Sequence, residues 1–142
     1  MNINFPRAVI GGLIGTAVMT LVGLFVAPVM GLPPMNPADM LAGAMGGNLV
    51  LGWAGHLMIG VVLALGYAVV ASVLPGPGFA RGAIYSVAPF LMAQILVMPM
   101  MGMPLFSGSA AMAMGSLVGH IVYGAVLGGV YGEIDATQVV TA

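Results

Sequence analysis

His56 and His120 are the residues of this sequence best equipped for chemistry. Each stands inside a long apolar stretch, where an ionisable side chain marks a candidate functional site. Behind His56 come Gly60, Leu63 and Tyr67; behind His120, at the same offsets, come Gly124, Leu127 and Tyr131. On an α-helix turning about 100° per residue these positions share one face with the histidine. One turn earlier lie Gly52 and Ser116, also small. Each helix therefore carries a stripe that reads small, His, small, Leu, Tyr.

A neutral imidazole has one donor and one acceptor to satisfy, and three kinds of chemistry compete for them. Each ring could hydrogen-bond across a helix bundle to Gln94, Thr16, Thr20, Ser86 or a backbone carbonyl. Alternatively, His56 and His120 could ligate the iron of one b-type haem between facing helices, with Gly60 and Gly124 leaving space for the macrocycle. The third reading is a proton or metal-ion relay. Two histidines without a carboxylate are too few for a catalytic zinc site. Fourteen methionines raise a further possibility. Soft thioethers suit Cu(I), and the densest run is Met98, Met100, Met101 and Met103; the alternative is that methionine fills irregular apolar gaps.

The composition excludes most other classes. Only 4% of the 142 residues are charged, against roughly 25% in soluble domains. Two arginines and no lysine give no footprint for nucleic acid. The absence of cysteine removes disulfides, thiolate metal sites and thiol nucleophiles. No Ser–His–Asp set, in-span carboxylate pair, P-loop or dinucleotide fingerprint is visible. A non-enzymatic role is expected.

Arg7, Asp39, Arg81, Glu133 and Asp135 are the only charged residues, the stretches between them are apolar, and four segments within these are long enough to span, at about 8–29, 48–73, 82–102 and 110–132. A hydrocarbon core of about 30 Å needs about 20 residues of helix. The expected form is an all-α, four-helix membrane bundle in one domain, with a short polar tail over 133–142. Asn36-Pro37-Ala38-Asp39 has the pattern of a helix start and predicts a short interfacial helix to Met45. Pro89, inside the third span, should kink it. Both arginines precede odd-numbered spans, which places the N- and C-termini in the cytoplasm.

The chain also repeats itself. Pro28-Val29-Met30-Gly31-Leu32-Pro33 matches Pro99-Met100-Met101-Gly102-Met103-Pro104, and the stretch from Gly55 to Tyr67 matches that from Gly119 to Tyr131. This predicts two duplicated helix hairpins related by an axis along the membrane normal, with the histidines at similar depth. Gly is 23 of 142 residues, about twice the usual share, as expected where small residues let membrane helices approach closely.

Met30-Gly31-Leu32-Pro33-Pro34-Met35, Gly52-Trp53-Ala54-Gly55-His56, Met98-Pro99-Met100-Met101-Gly102-Met103 and Gly119-His120-Ile121-Val122-Tyr123-Gly124 together carry a likeness. From Arg7 to Gly132 the chain resembles small four-helix bacterial inner-membrane proteins that carry a domain of unknown function. The resemblance implies a multi-pass membrane protein in contact with the lipid bilayer and carries no activity, cofactor or site residue with it. The residues themselves suggest an accessory subunit that associates with itself or with a larger bioenergetic complex.

Overall fold

The computed structural model describes residues 3–132; the tail expected at 133–142 lies outside the described residues. Four helices are long and apolar enough to cross a membrane: α1 (Phe5–Val29), α3 (Leu49–Val73), α4 (Gly78–Met100) and α5 (Ala110–Tyr131). The short α2 (Pro37–Ala44) precedes α3.

Helix starts follow the side chains available to cap them. The Asn4 side chain accepts from Arg7 N at 3.1 Å, and Pro6 sits in the first turn. The helix thus begins ahead of Arg7, earlier than the charge pattern suggests. Likewise α4 begins at Gly78 directly after the extended Pro77, four residues before the expected start. Asn36 caps α2 through Ala38 N, and Asn48 caps α3 through Leu51 N. The expected short helix is therefore present, one residue shorter than predicted.

The first and third spans each contain one unusual turn. In α1 the backbone widens over Val22–Val26, and Ala27 N donates to the carbonyl five residues back, at Val22. In α4 the same widening runs over Ala93–Val97, with Met98 N donating to Ala93 O. The next residue is proline in both cases, Pro28 and Pro99. A proline ring crowds the carbonyl four residues before it, and a wider turn moves that carbonyl aside. Pro89 is not the cause: the helix continues through it to Met92, and α1 has the same wide turn with Val18 in the corresponding place. Both helices then end alike, on Gly31 at φ 77° and Gly102 at φ 78°. Leu32 N bonds back to Ala27 O, and Met103 N to Met98 O. Only glycine adopts that left-handed backbone without strain.

In cross-section α1 packs against α3 on one side and α5 on the other, α5 also packs against α4, and α3 scarcely meets α4. Glycine makes the close approaches. A methyl group on Gly60 would collide with Thr16 of α1, and one on Gly12 would lie 2.7 Å from the Ala64 side chain. Between α4 and α5, a methyl on Gly82 would strike the Gly124 carbonyl, and one on Gly128 the Gly78 carbonyl. Gly11 and Gly15 of α1 face Leu127 and Tyr123 of α5. α2 lies on α3, where Gly52 fits beneath Ala38 and Ala42.

Candidate functional site: a cavity bearing both histidines

Between the helices is a cavity of about 160 Å³ lined by both His56 and His120. Toward the Arg7 end Tyr123 lines it, and a cluster of further tyrosines lies nearby. The Tyr67 ring packs edge-on against Tyr85 and Tyr131, with centroids 5.4 and 5.5 Å apart. Tyr123 Oη donates to Gly60 O at 2.6 Å, and Tyr85 Oη to Leu63 O at 2.8 Å, so each ties its helix to α3. At the opposite end the loops fold inward. Met35, Pro37, Met40 and Leu41 cover the cavity from one side, and Ser107 from the other.

Ser107 gets there at a conformational cost. Phe106 and Ser107 have φ of 51° and 57°, where residues other than glycine are uncommon. The return is a hydrogen-bond chain: Ser107 Oγ donates to Gln94 Oε1 at 2.9 Å, and Gln94 Nε2 donates to Ser116 Oγ at 3.0 Å. Gln94 is buried in the wide turn of α4 and ties that turn to α5.

The two histidines are held differently. His56, 6% exposed, lies with Nε2 2.9 Å from Thr20 Oγ1 of α1. The Thr20 hydroxyl donates its one hydrogen to Thr16 O at 2.8 Å, so it must accept from His56. The hydrogen-bond network therefore assigns the proton of His56 to Nε2 and the lone pair to Nδ1. His120 Nδ1 donates to Ser116 O, one turn back, at 2.8 Å. Its lone pair is therefore on Nε2. Trp53 and Phe90 flank the rings, at 6.3 Å from His56 and 5.7 Å from His120.

Of the partners expected for the histidines, Thr20 and a backbone carbonyl take the role. Gln94, Thr16 and Ser86 bond elsewhere: Gln94 to the serines, Thr16 to Gly12 O, Ser86 to Ala83 O. The space that a haem would ask of Gly60 and Gly124 is filled by Thr16 and by Gly82 with Ser86. These glycines bring helices together rather than seat a macrocycle. The cavity is also smaller than the roughly 300–1,000 Å³ of pockets for drug-sized ligands.

The methionine run is divided. Met98 and Met101 line the cavity, whereas Met100 is 77% exposed on the outside of the bundle and Met103 is not among the lining residues. Met19, Met35, Met40 and Met92 join the cavity instead. Met19, Met40 and Met92 come from three different helices, which is why spacing along the sequence did not single them out. Ser107 gave no sequence signal either, since its role depends on a backbone conformation that favours glycine.

By helix length and composition this is a multi-pass membrane protein, and its spans imply contact with a lipid bilayer. The chain belongs to the family of unknown function DUF6789, which it matches over residues 4–141. No curated protein and no solved structure matches it.

Proposed function

We propose that this protein is a non-enzymatic accessory subunit of the bacterial inner membrane, packing with itself or with a larger bioenergetic complex. The observation that carries this reading is how its buried polar side chains are spent. Thr16, Thr20, Ser86, Gln94 and Ser116 all bond within the bundle, to backbone or to one another. Those of Thr16, Thr20 and Ser86 run within their own helices, whereas Gln94 to Ser116 and His56 to Thr20 tie helix to helix in lipid, where no hydrophobic force does so. Among the described residues no group of three or more His, Cys, Asp or Glu is placed to hold a metal ion.

The bundle is read as two hairpins, α1 with α3 and α4 with α5, that arose by duplication. Three correspondences support this: the wide turns before Pro28 and Pro99, the glycine notches at Gly60 and Gly124, and the meeting of Tyr67 with Tyr131. Arg7 and Arg81 open the first helix of each hairpin, and the positive-inside rule then puts both termini in the cytoplasm.

Gentle extraction from native membranes in lipid nanodiscs, followed by mass measurement, tests the proposal. A defined oligomer, or a stoichiometric complex with other membrane subunits, is expected. Recovery of a solitary monomer would overturn it.

A further inference from the structure

The cavity has a chemistry that the packing of subunits does not use. His56 Nδ1 and His120 Nε2 both carry lone pairs, and neither is bonded among the described residues. Both residues line the same space, whose other walls are almost wholly apolar. Two acceptors on residues that line an apolar chamber call for an occupant that brings hydrogen-bond donors on an apolar body.

Size narrows the choice. A cavity of about 160 Å³ compares with the roughly 150 Å³ cavity that holds one benzene ring. The lining methionines suit the same occupant, since thioether sulfur makes favourable contacts with aromatic rings. Access is from the side: Ile59 on α3 and Met92 on α4 both line the cavity and are 42% and 49% exposed on the bundle surface. The cavity thus reaches the lipid-facing surface where α3 and α4 scarcely meet.

We propose that this cavity binds the hydroxylated aromatic head of a membrane-dissolved phenol or quinol, its hydroxyls donating to His56 Nδ1 and His120 Nε2. The ring enters between α3 and α4, and any alkyl tail stays in the bilayer. A dione of the same ring presents acceptors to two lone pairs and is disfavoured. The proposal requires the bundle to be folded and is independent of any partner subunit.

Three probes of nearly equal size test it: hydroquinone kept under anaerobic conditions, 4-methylphenol and 1,4-dimethylbenzene, which offer two, one and no donors. The unsubstituted protein, with ¹⁵N-labelled histidine rings, is held in lipid nanodiscs and titrated with each, affinities being referred to the probe concentration dissolved in the lipid. Hydroquinone should give saturable shifts at both unprotonated ring nitrogens. Replacing each hydroxyl by methyl should weaken binding by about tenfold, the expected order for one buried hydrogen bond. His120→Ala should bind hydroquinone no better than the unsubstituted protein binds 4-methylphenol. Unmoved ring nitrogens would overturn the proposal, as would dimethylbenzene binding as tightly as hydroquinone. The ligand series needs no variant, so it decides the matter even if His120→Ala fails to fold. Oligomer mass, measured separately, bears only on the accessory-subunit reading.

Discussion

The rings of Tyr67 and Tyr131 meet edge to face, their planes at 83° and their centroids 5.5 Å apart. These are the two tyrosines that occupy equal places in the matched stretches of α3 and α5. Edge-to-face pairs are worth about 0.5–1.5 kcal/mol beyond their buried area. A double-mutant cycle with Tyr67→Leu and Tyr131→Leu, read by thermal unfolding in detergent, should return a coupling of about that size. Additive effects would show that the pair contributes area alone.

The glycines divide by what surrounds them. Gly82→Ala drives a methyl into the Gly124 carbonyl, and the helices must separate to admit it. A loss of about 1–3 kcal/mol is expected, as for other overpacked sites. Around Gly129, also in α5, a methyl group would meet nothing within 4 Å. Gly129→Ala should therefore be neutral or gain up to about 1 kcal/mol from helix propensity. Unfolding curves of the two variants, side by side, check both signs.

Thr20→Val keeps the shape of the side chain and removes the acceptor of the His56 Nε2 proton. A buried donor left unpaired costs about 1–3 kcal/mol, whereas Thr20→Ser should retain most of the stability. The ¹⁵N shifts of His56 give a second measurement. In Thr20→Val the proton should no longer be confined to Nε2, and in Thr20→Ser it should be.

Much of the architecture was legible because charge is so scarce here. Five charged residues left long apolar stretches from which four spans could be read by length, and the Asn-Pro pattern at Asn36 gave α2. The site was legible only in part. His56 and His120 stand out as ionisable groups in apolar helices, and Thr20 was among the partners considered for them. That Thr16 sits against Gly60, and Gly82 with Ser86 against Gly124, was not legible, because a glycine notch records that something approaches closely and not what does. The wide turns were hidden for a different reason. A proline suggests disturbance of a helix, yet Pro89 passes within a continuous one while Pro28 and Pro99 each follow a widened turn.

Phe106 and Ser107 share a left-handed backbone but differ in what they gain from it. For L-residues that conformation costs roughly 1–2 kcal/mol each. Phe106→Gly should recover about 1 kcal/mol, since the ring is already 42% exposed. Ser107→Gly removes the bond to Gln94 along with the strain. Faster amide exchange over Leu105–Gly108 is expected for the second variant only.

The chain has no cysteine of its own, so single introduced thiols report sidedness cleanly. Gly76→Cys, in the turn between α3 and α4, should react with a membrane-impermeant maleimide only after the cytoplasmic face is exposed. Gly46→Cys, after α2, should react from the opposite face. The reverse pattern would invert the orientation inferred from Arg7 and Arg81.

With edge-to-face tyrosines toward one end and folded loops at the other, the entrance proposed between α3 and α4 gives onto oil rather than water. The concentration that matters to an occupant is then the one dissolved among the acyl chains. Oil–water partition would set apparent affinity, so a greasy compound at nanomolar aqueous levels could compete with a hydrophilic analogue supplied in large excess.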